Sequence, residues 1–284
     1  MSSIKKVYRS VTHFIGRVTK RYYFEDYVRV YPNGIVFDRF GQRKGTRKED
    51  INNFLNHCKF YKVAVQFVKD KRVVDIGCGS GYGCQIMRKG GAALVCGSDA
   101  SRSCIKFAKS KYGDWADFTV QGATDMRKYP DSFFDIAVSS EVLEHLKEYG
   151  MEEKAISEIK RITQNGGLLI IGTPNSEMLS KHGFSFDEID VLFRKSFLQY
   201  CIFENALVPF GDKRILWERR LSEDRTGVII SERINLSETV LPRNGTPEIK
   251  KGAPAGEFKF ASYDVDTTLL HNTHSWIVLA INNK

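Results

Sequence analysis

The most chemically suggestive residues of this 284-residue chain lie in one run, VVDIGCGSGYG, between Val73 and Gly83. An acid, Asp75, stands at the end of an apolar stretch, and Gly77, Gly79, Gly81 and Gly83 follow on alternate residues. Glycines let a backbone turn sharply and approach a ligand closely, and a helix opening there presents its N-terminal N–H groups. The spacing is GxGxG, not the GxGxxG of dinucleotide-binding turns. An acid just ahead of such a turn suits a cationic amino acid moiety better than a pyrophosphate. Further on, Asp99 closes a second apolar run. It reads as an acceptor for ribose hydroxyls or as the N-cap of a helix beginning near Ser101.

A second constellation is EVLEHL, Glu141 to Leu146. In a helical turn Glu141, Glu144 and His145 stand at i, i+3 and i+4 and share one face. Two carboxylates and an imidazole can hold a divalent ion such as Mg²⁺ or Mn²⁺. They can equally serve as a general base, with His145 and Glu144 as the catalytic pair, or simply orient the following helix by hydrogen bonding. All three readings stand at this point.

The elements that position these residues follow from periodicity. Apolar runs at 73–76, 93–97, 118–121, 134–139 and 168–172 read as strands, and they alternate with helices ending near 89 and spanning 101–111 and 148–163. That alternation implies a parallel sheet with helices on both faces. Beyond Pro174 come a helix at 187–194, a strand at 200–206 and a last strand at 276–281. Between them, the proline-, glycine- and charge-rich stretch 208–272 suits a long insertion, and insertions of that length in compact domains are usually lids or binding loops. Ahead of the core, a helix is expected at 49–68. Ile4, Val7, Tyr8, Val11, Phe14, Ile15, Val18 and Tyr22 recur at helical spacing, with Lys5, Lys6, Arg9, Arg17, Lys20 and Arg21 on the same segment and no acid before Glu25. The expectation is an amphipathic helix packed on the domain as a lid; a membrane-surface, nucleic-acid or targeting role is the alternative.

Composition bounds the rest. At 42% hydrophobic residues the chain can bury one sizeable core. Its longest apolar runs fall far short of the roughly 20 residues a spanning helix needs, so no transmembrane segment is expected. The formal charge of +9 favours anionic partners, among them nucleic acid, acidic lipid and phosphorylated small molecules. Six cysteines without a CxxC pair or a secretory leader read as free thiols in a reducing compartment, hence a cytoplasmic protein without structural zinc.

In order and spacing, VVDIGCGSGYG, GSDAS, FFDIAVSSEVLEHL and GGLLIIGTPN resemble the class I S-adenosylmethionine-dependent methyltransferase family over about residues 72–175. The resemblance implies a Rossmann-like α/β fold: a mostly parallel seven-stranded sheet with helices on both faces, and an antiparallel C-terminal hairpin carrying a long insertion. The corresponding division is 1–70 as an acceptor-side helical lid, 71–207 as the cofactor-binding core, 208–273 as an acceptor-side insertion and 274–284 as the last core strand. It further implies that Asp75, Gly77, Cys78 and Gly79 border the methionine part of S-adenosylmethionine, that Asp99 holds the ribose and that Ala100 lies beside the adenine. Where the family commonly has an acid before an alanine to take the adenine amino group, this chain reads Gln121-Gly122-Ala123-Thr124-Asp125-Met126; Asp125 or a backbone carbonyl is the substitute, with Met126 beside it. Ser139 is expected under the cofactor, at the end of the fourth strand.

Three groups within that family bear on the acceptor. Ubiquinone-pathway catechol O-methyltransferases carry a similar EVLEH segment, which there binds a divalent metal. Small-RNA 2′-O-methyltransferases carry EVIEHL, then TPN and a downstream histidine, similar to Glu141 to Leu146, Thr173-Pro174-Asn175 and His182. Methyltransferases of glycans and secondary metabolites resemble the chain at Phe184-Ser185-Phe186-Asp187-Glu188 and in the approach to the glycine turn. The favoured expectation is O-methylation of a small molecule or glycan, without or with metal at Glu141, Glu144 and His145. The alternatives are a metal-assisted RNA 2′-O-methyltransferase and a non-catalytic cofactor-binding partner subunit.

Overall fold

A computed structural model of the chain describes residues 3–19, 26–37, 43–46, 48–177, 182–207, 214–221, 228–235 and 273–284. In chain order the elements are α1 (Ser3–Thr19), a 3-10 turn (Pro32–Gly34), β1 (Ile35–Phe37), β2 (Arg43–Thr46), α2 (Lys48–Val65), β3 (Arg72–Ile76), α3 (Tyr82–Lys89), β4 (Leu94–Asp99), α4 (Arg102–Tyr112) and β5 (Asp117–Val120). They continue as β6 (Phe134–Ser140), α5 (Leu143–Lys147), α6 (Glu152–Ile162), β7 (Thr163–Pro174), α7 (Phe186–Ser196), β8 (Gln199–Leu207), β9 (Arg214–Leu221), β10 (Val228–Asn235) and β11 (Thr273–Ile281).

One large sheet runs β10-β9-β8-β11-β7-β6-β3-β4-β5. From β5 through β4, β3 and β6 to β7 every pairing is parallel. Strand β11 then inserts antiparallel between β7 and β8. These are the expected seven strands with their antiparallel C-terminal hairpin. Because β3 lies between β4 and β6, the chain leaves it first to one side and later returns on the other, which opens a crevice at the carboxyl ends of the central strands.

Alternation along the strands builds two cores. Val73, Ile136, Val138, Leu168, Ile170, Ile277 and Leu279 face one layer with Ala64, Met87, Ile105 and Ala108 from α2, α3 and α4. Val74, Ala137, Leu169, Ile171, Trp276 and Val278 face the other, with Leu143, Ile156, Ile159, Ile189 and Phe193 from α5, α6 and α7. Burying a large apolar side chain contributes about 1.5–3 kcal/mol, so both faces need helical cover. The Trp276 indole, fully buried, donates to the Phe184 carbonyl at 2.8 Å.

Several boundaries differ from those read in the sequence. The helix expected at 148–163 is α6 and starts only at Glu152, because Gly150 takes φ +62° and turns the chain between it and the short α5 that precedes it. Strand β7 starts five residues before the apolar run at Leu168. Its polar TQNGG start is held extended by Asn282, whose buried side-chain amide donates to the carbonyls of Lys160, Thr163 and Gln164. Two stretches of the expected 208–273 insertion form β9 and β10, which extend the sheet edge by antiparallel pairing. The remainder of that insertion, apart from Thr273, lies outside the described residues, as do the side chains of Ile4, Lys5, Lys6, Val7, Tyr8, Arg9, Lys20, Arg21 and Tyr22.

Helix α1 forms as the spacing predicts, but its apolar stripe faces away from the domain. Val11, Phe14, Ile15 and Val18 are exposed while Gly16 is buried. No helix among the described residues is long and apolar enough to cross a membrane.

Candidate active site

A cavity of about 410 Å³ occupies the crevice at the carboxyl ends of β3, β4, β5 and β6, within the usual range for a small-molecule site. Its first wall is the turn between β3 and α3. Gly77 at φ +73° and Gly79 at φ +53° adopt the left-handed backbone that glycine tolerates. A methyl group on Gly77 would meet the Val142 side chain at 2.2 Å, whereas one on Gly79 would project into open space. That bare backbone beside the cavity is a cradle for a close-fitting ligand. Cys78 and Ser80 line the same wall.

Asp99 and Ala100 form the next wall. The Asp99 carboxylate ties the glycine turn to the start of α4: Oδ2 accepts from the Gly79 N–H at 2.9 Å and Oδ1 from the Ser101 N–H at 2.8 Å. The actual N-cap of α4 is Ser101, whose hydroxyl accepts from Cys104. Burial raises the Asp99 pKa, while those two N–H bonds and the Arg29 charge oppose the shift. Beyond Asp99, Gln121, Gly122, Ala123 and Thr124 line the cavity. The buried Gln121 Nε2 has no hydrogen-bond partner among the described residues.

Four residues expected at the ligand are placed elsewhere. Asp75 lies beneath the glycine turn, fully buried, and does not line the cavity. Its carboxylate accepts from the Tyr61 hydroxyl at 3.0 and 3.2 Å and from the Cys84 thiol at 3.5 Å. Asp125 pairs with Arg127 at the surface. Met126 is a core residue whose N–H donates to Glu158. The Ser139 hydroxyl is satisfied by the Ile76 carbonyl at 3.0 Å, and the next residue, Ser140, reaches the cavity instead.

Asp75 carries a measurable consequence. Burial raises its pKa from 3.8 to about 7, against the opposing hydrogen bonds from Tyr61 and Cys84. The folded protein thus holds a proton that the unfolded chain has released, and the associated stability, complete below the unfolded pKa, is lost as pH rises through about 7. An Asp75→Asn variant, which cannot ionise, is expected to escape this loss; thermal unfolding of both proteins across that window should show the wild type falling by a few kcal/mol relative to the variant. Parallel pH profiles would remove the buried acid from the account.

The EVLEHL segment lines the same cavity, with Val142 against Gly77. Glu141 sits at φ +57°, a strained conformation for a residue with a side chain. Its N–H donates to the Gly172 carbonyl at 2.9 Å, and the strain turns the chain from β6 into α5. Glu144 is buried and accepts from the Thr173 hydroxyl at 3.1 Å. Desolvation first, and the Glu141 charge second, raise its pKa well above the usual carboxylate value. His145 Nε2 lies 3.7 Å from Glu144 Oε1 and accepts from the Arg29 guanidinium at 3.0 Å. Arginine can only donate, so Nδ1 carries the ring proton. Burial, then the charges of Arg29 and His182, depress the His145 pKa to about 3, and the imidazole is neutral. His182 rests against His145 with ring centroids 4.8 Å apart and contacts Glu148 Oε1 through Nδ1 at 3.0 Å.

Among the described residues, Glu144, His145 and His182 can bring ligand atoms within 4.8 Å of one another. Glu141 lines the same cavity outside that group, so His182 takes the place expected for it. One carboxylate and two imidazoles are a donor set suited to a divalent transition ion.

Residues 74–171 match the family described as "Methyltransferase domain". This span contains the glycine turn, Asp99, the Gln121 loop and the EVLEHL segment. Over this span the chain is similar to a class I S-adenosylmethionine-dependent methyltransferase domain. The chain is 33% identical over 107 residues to the ubiquinone biosynthesis O-methyltransferase of Brucella anthropi, covering 37% of this chain and 41% of that enzyme. It is 30% identical over 107 residues to the enzyme of the same name from Mesorhizobium japonicum, with the same coverage. The match thus spans well under half the length of these relatives. Among solved structures the chain is similar to magnesium protoporphyrin IX methyltransferase from Synechocystis, with a TM-score of 0.47 and 20% identity over 63% of this chain and 86% of that one.

Sequence reading missed the cavity residues that come from outside the methyltransferase core. Arg29 and Tyr27 arrive from the segment after α1, and Asn53, His57 and Tyr61 from α2. No local motif marks them. Gln121 was within reach, since it heads the stretch in which Asp125 was preferred.

Proposed function

We propose that the protein transfers the methyl group of S-adenosylmethionine to a hydroxyl of a small molecule or glycan. The observation that carries this reading is that the Gly77–Gly79 turn, Asp99 and His145 line one cavity. S-adenosylmethionine, when bound, supplies a methyl group on a positively charged sulfur. Asp99 accepts from the ribose hydroxyls while keeping the glycine turn in register, and Gln121 Nε2 donates to the adenine. Ala100 supports the adenine from beside Asp99. Cys78 borders the methionine part, and Asp75 positions the turn from below through Tyr61. Ser139 likewise works from beneath, tying β6 to β3.

An acceptor hydroxyl must lose its proton as the methyl group is transferred in line. His145 Nε2, an accepting nitrogen in a neutral ring, is the base within the cavity. Its present donor, Arg29, yields that position when the hydroxyl arrives and remains beside it as a cation for an acceptor anion. Glu144, protonated by its surroundings, orients the imidazole. The ubiquinone enzymes named above are O-methyltransferases, which supports oxygen as the acceptor atom.

A metal-assisted variant of this reading rests on the Glu144, His145 and His182 cluster. A divalent ion there would lower the pKa of an acceptor hydroxyl. Titrating Mn²⁺ into the protein separates the two versions: with metal, His182→Ala weakens Mn²⁺ binding about 10-fold or more and exhaustive chelation abolishes turnover. Turnover that survives chelation leaves His145 acting alone as the base.

A further inference from the structure

We infer that α1 is an interfacial helix that docks the protein on an anionic phospholipid surface. Val11, Phe14, Ile15 and Val18 are 50%, 67%, 53% and 70% exposed. At i, i+3, i+4 and i+7 they form one continuous stripe. Scattered exposed apolar residues need no explanation, but four large ones aligned on one helix face do. The opposite side meets the domain: Gly16 is buried, and the His13 ring lies 5.7 Å from that of Tyr149, whose hydroxyl bonds His13 Nδ1 at 2.5 Å. The helix is thus seated by its polar side, with its apolar side outward.

Charge selects the occupant. Residues 1–24 carry Lys5, Lys6, Arg9, Arg17, Lys20 and Arg21 and no acid. A second copy packed stripe to stripe would bring two strongly cationic helices together. Nucleic acid would satisfy the charge yet leave the apolar stripe in water. A bilayer with acidic headgroups satisfies both, taking the stripe into the acyl boundary while the net positive charge of the segment draws it to the anionic surface. Tyr149 lies two residues past α5, so docking also holds the Glu144 and His145 end of the cavity near the membrane face. This docking does not depend on the methyl-transfer reading.

Co-sedimentation of the full chain with vesicles tests it. Binding to phosphatidylcholine vesicles containing phosphatidylglycerol is expected, with little to phosphatidylcholine alone and a decline as salt is raised. A Phe14→Asp, Val18→Asp double variant should bind at least about 10-fold more weakly while keeping the wild-type unfolding temperature. The milder Val11→Ser should give an intermediate loss. Equal binding by the double variant and the wild type, or no binding to the anionic vesicles, overturns the inference. So does a dimer in sedimentation velocity that the double variant abolishes, since the stripe would then belong to a second copy.

Discussion

An Asp99→Asn variant is expected to bind S-adenosylhomocysteine about 100-fold more weakly than the wild type. Each hydrogen bond to an ionised group contributes about 1.5–3 kcal/mol, and this carboxylate serves several donors at once. It accepts from the Gly79 and Ser101 N–H groups, and in the proposed complex from the ribose as well. The amide of asparagine turns an N–H₂ toward one of those backbone donors, so an N–H group loses its acceptor and the glycine turn loses its register. Calorimetric titration of both proteins reads the change directly. Affinity unaltered by the substitution would remove Asp99 from the cofactor site.

His145→Ala should leave S-adenosylhomocysteine binding essentially unchanged while lowering kcat by about 10²–10⁴-fold, the usual contribution of a positioned general base. The split matters because His145 follows β6 whereas Asp99 ends β4, so the alanine variant leaves the Asp99 hydrogen bonds in place. Its pKa of about 3 keeps the imidazole neutral, so no acid limb near 6.5 is expected from this group in the pH profile of kcat. If His145 merely orients α5, the alanine variant loses less than about 10-fold in kcat and falls instead in unfolding temperature.

The central sheet was readable because its strands are buried on both sides and appear as short apolar runs between helices. Val73 to Ile76 and Leu168 to Ile171 are of this kind. The edge was not readable in the same way: RILWERRL of β9 and VIISERIN of β10 mix charge with apolar residues, so they resemble loop sequence until paired with β8. At the site, residues that share a motif with their function were legible. Gly77, Gly79, Asp99, Glu144 and His145 line the cavity as their spacing suggests. Motif position alone could not tell which way a side chain turns. Asp75 and Ser139 stay out of the cavity wall, bonded to Tyr61 and Ile76, because strand alternation turns them toward opposite faces of the sheet. Arg29 and His57 were invisible, since contacts between distant segments leave no periodic trace. The N-terminal helix was legible as amphipathic, but amphipathicity does not say which face meets the protein.

The central claim, that one cavity carries the methyl donor from the glycine turn to His145, is tested most directly by a crystal structure with S-adenosylhomocysteine bound. The adenine is expected beside Ala100 and Gln121, the ribose hydroxyls on Asp99, and the sulfur facing Glu144 and His145. A ligand bound with its sulfur turned away from His145, or seated outside this cavity, would contradict it.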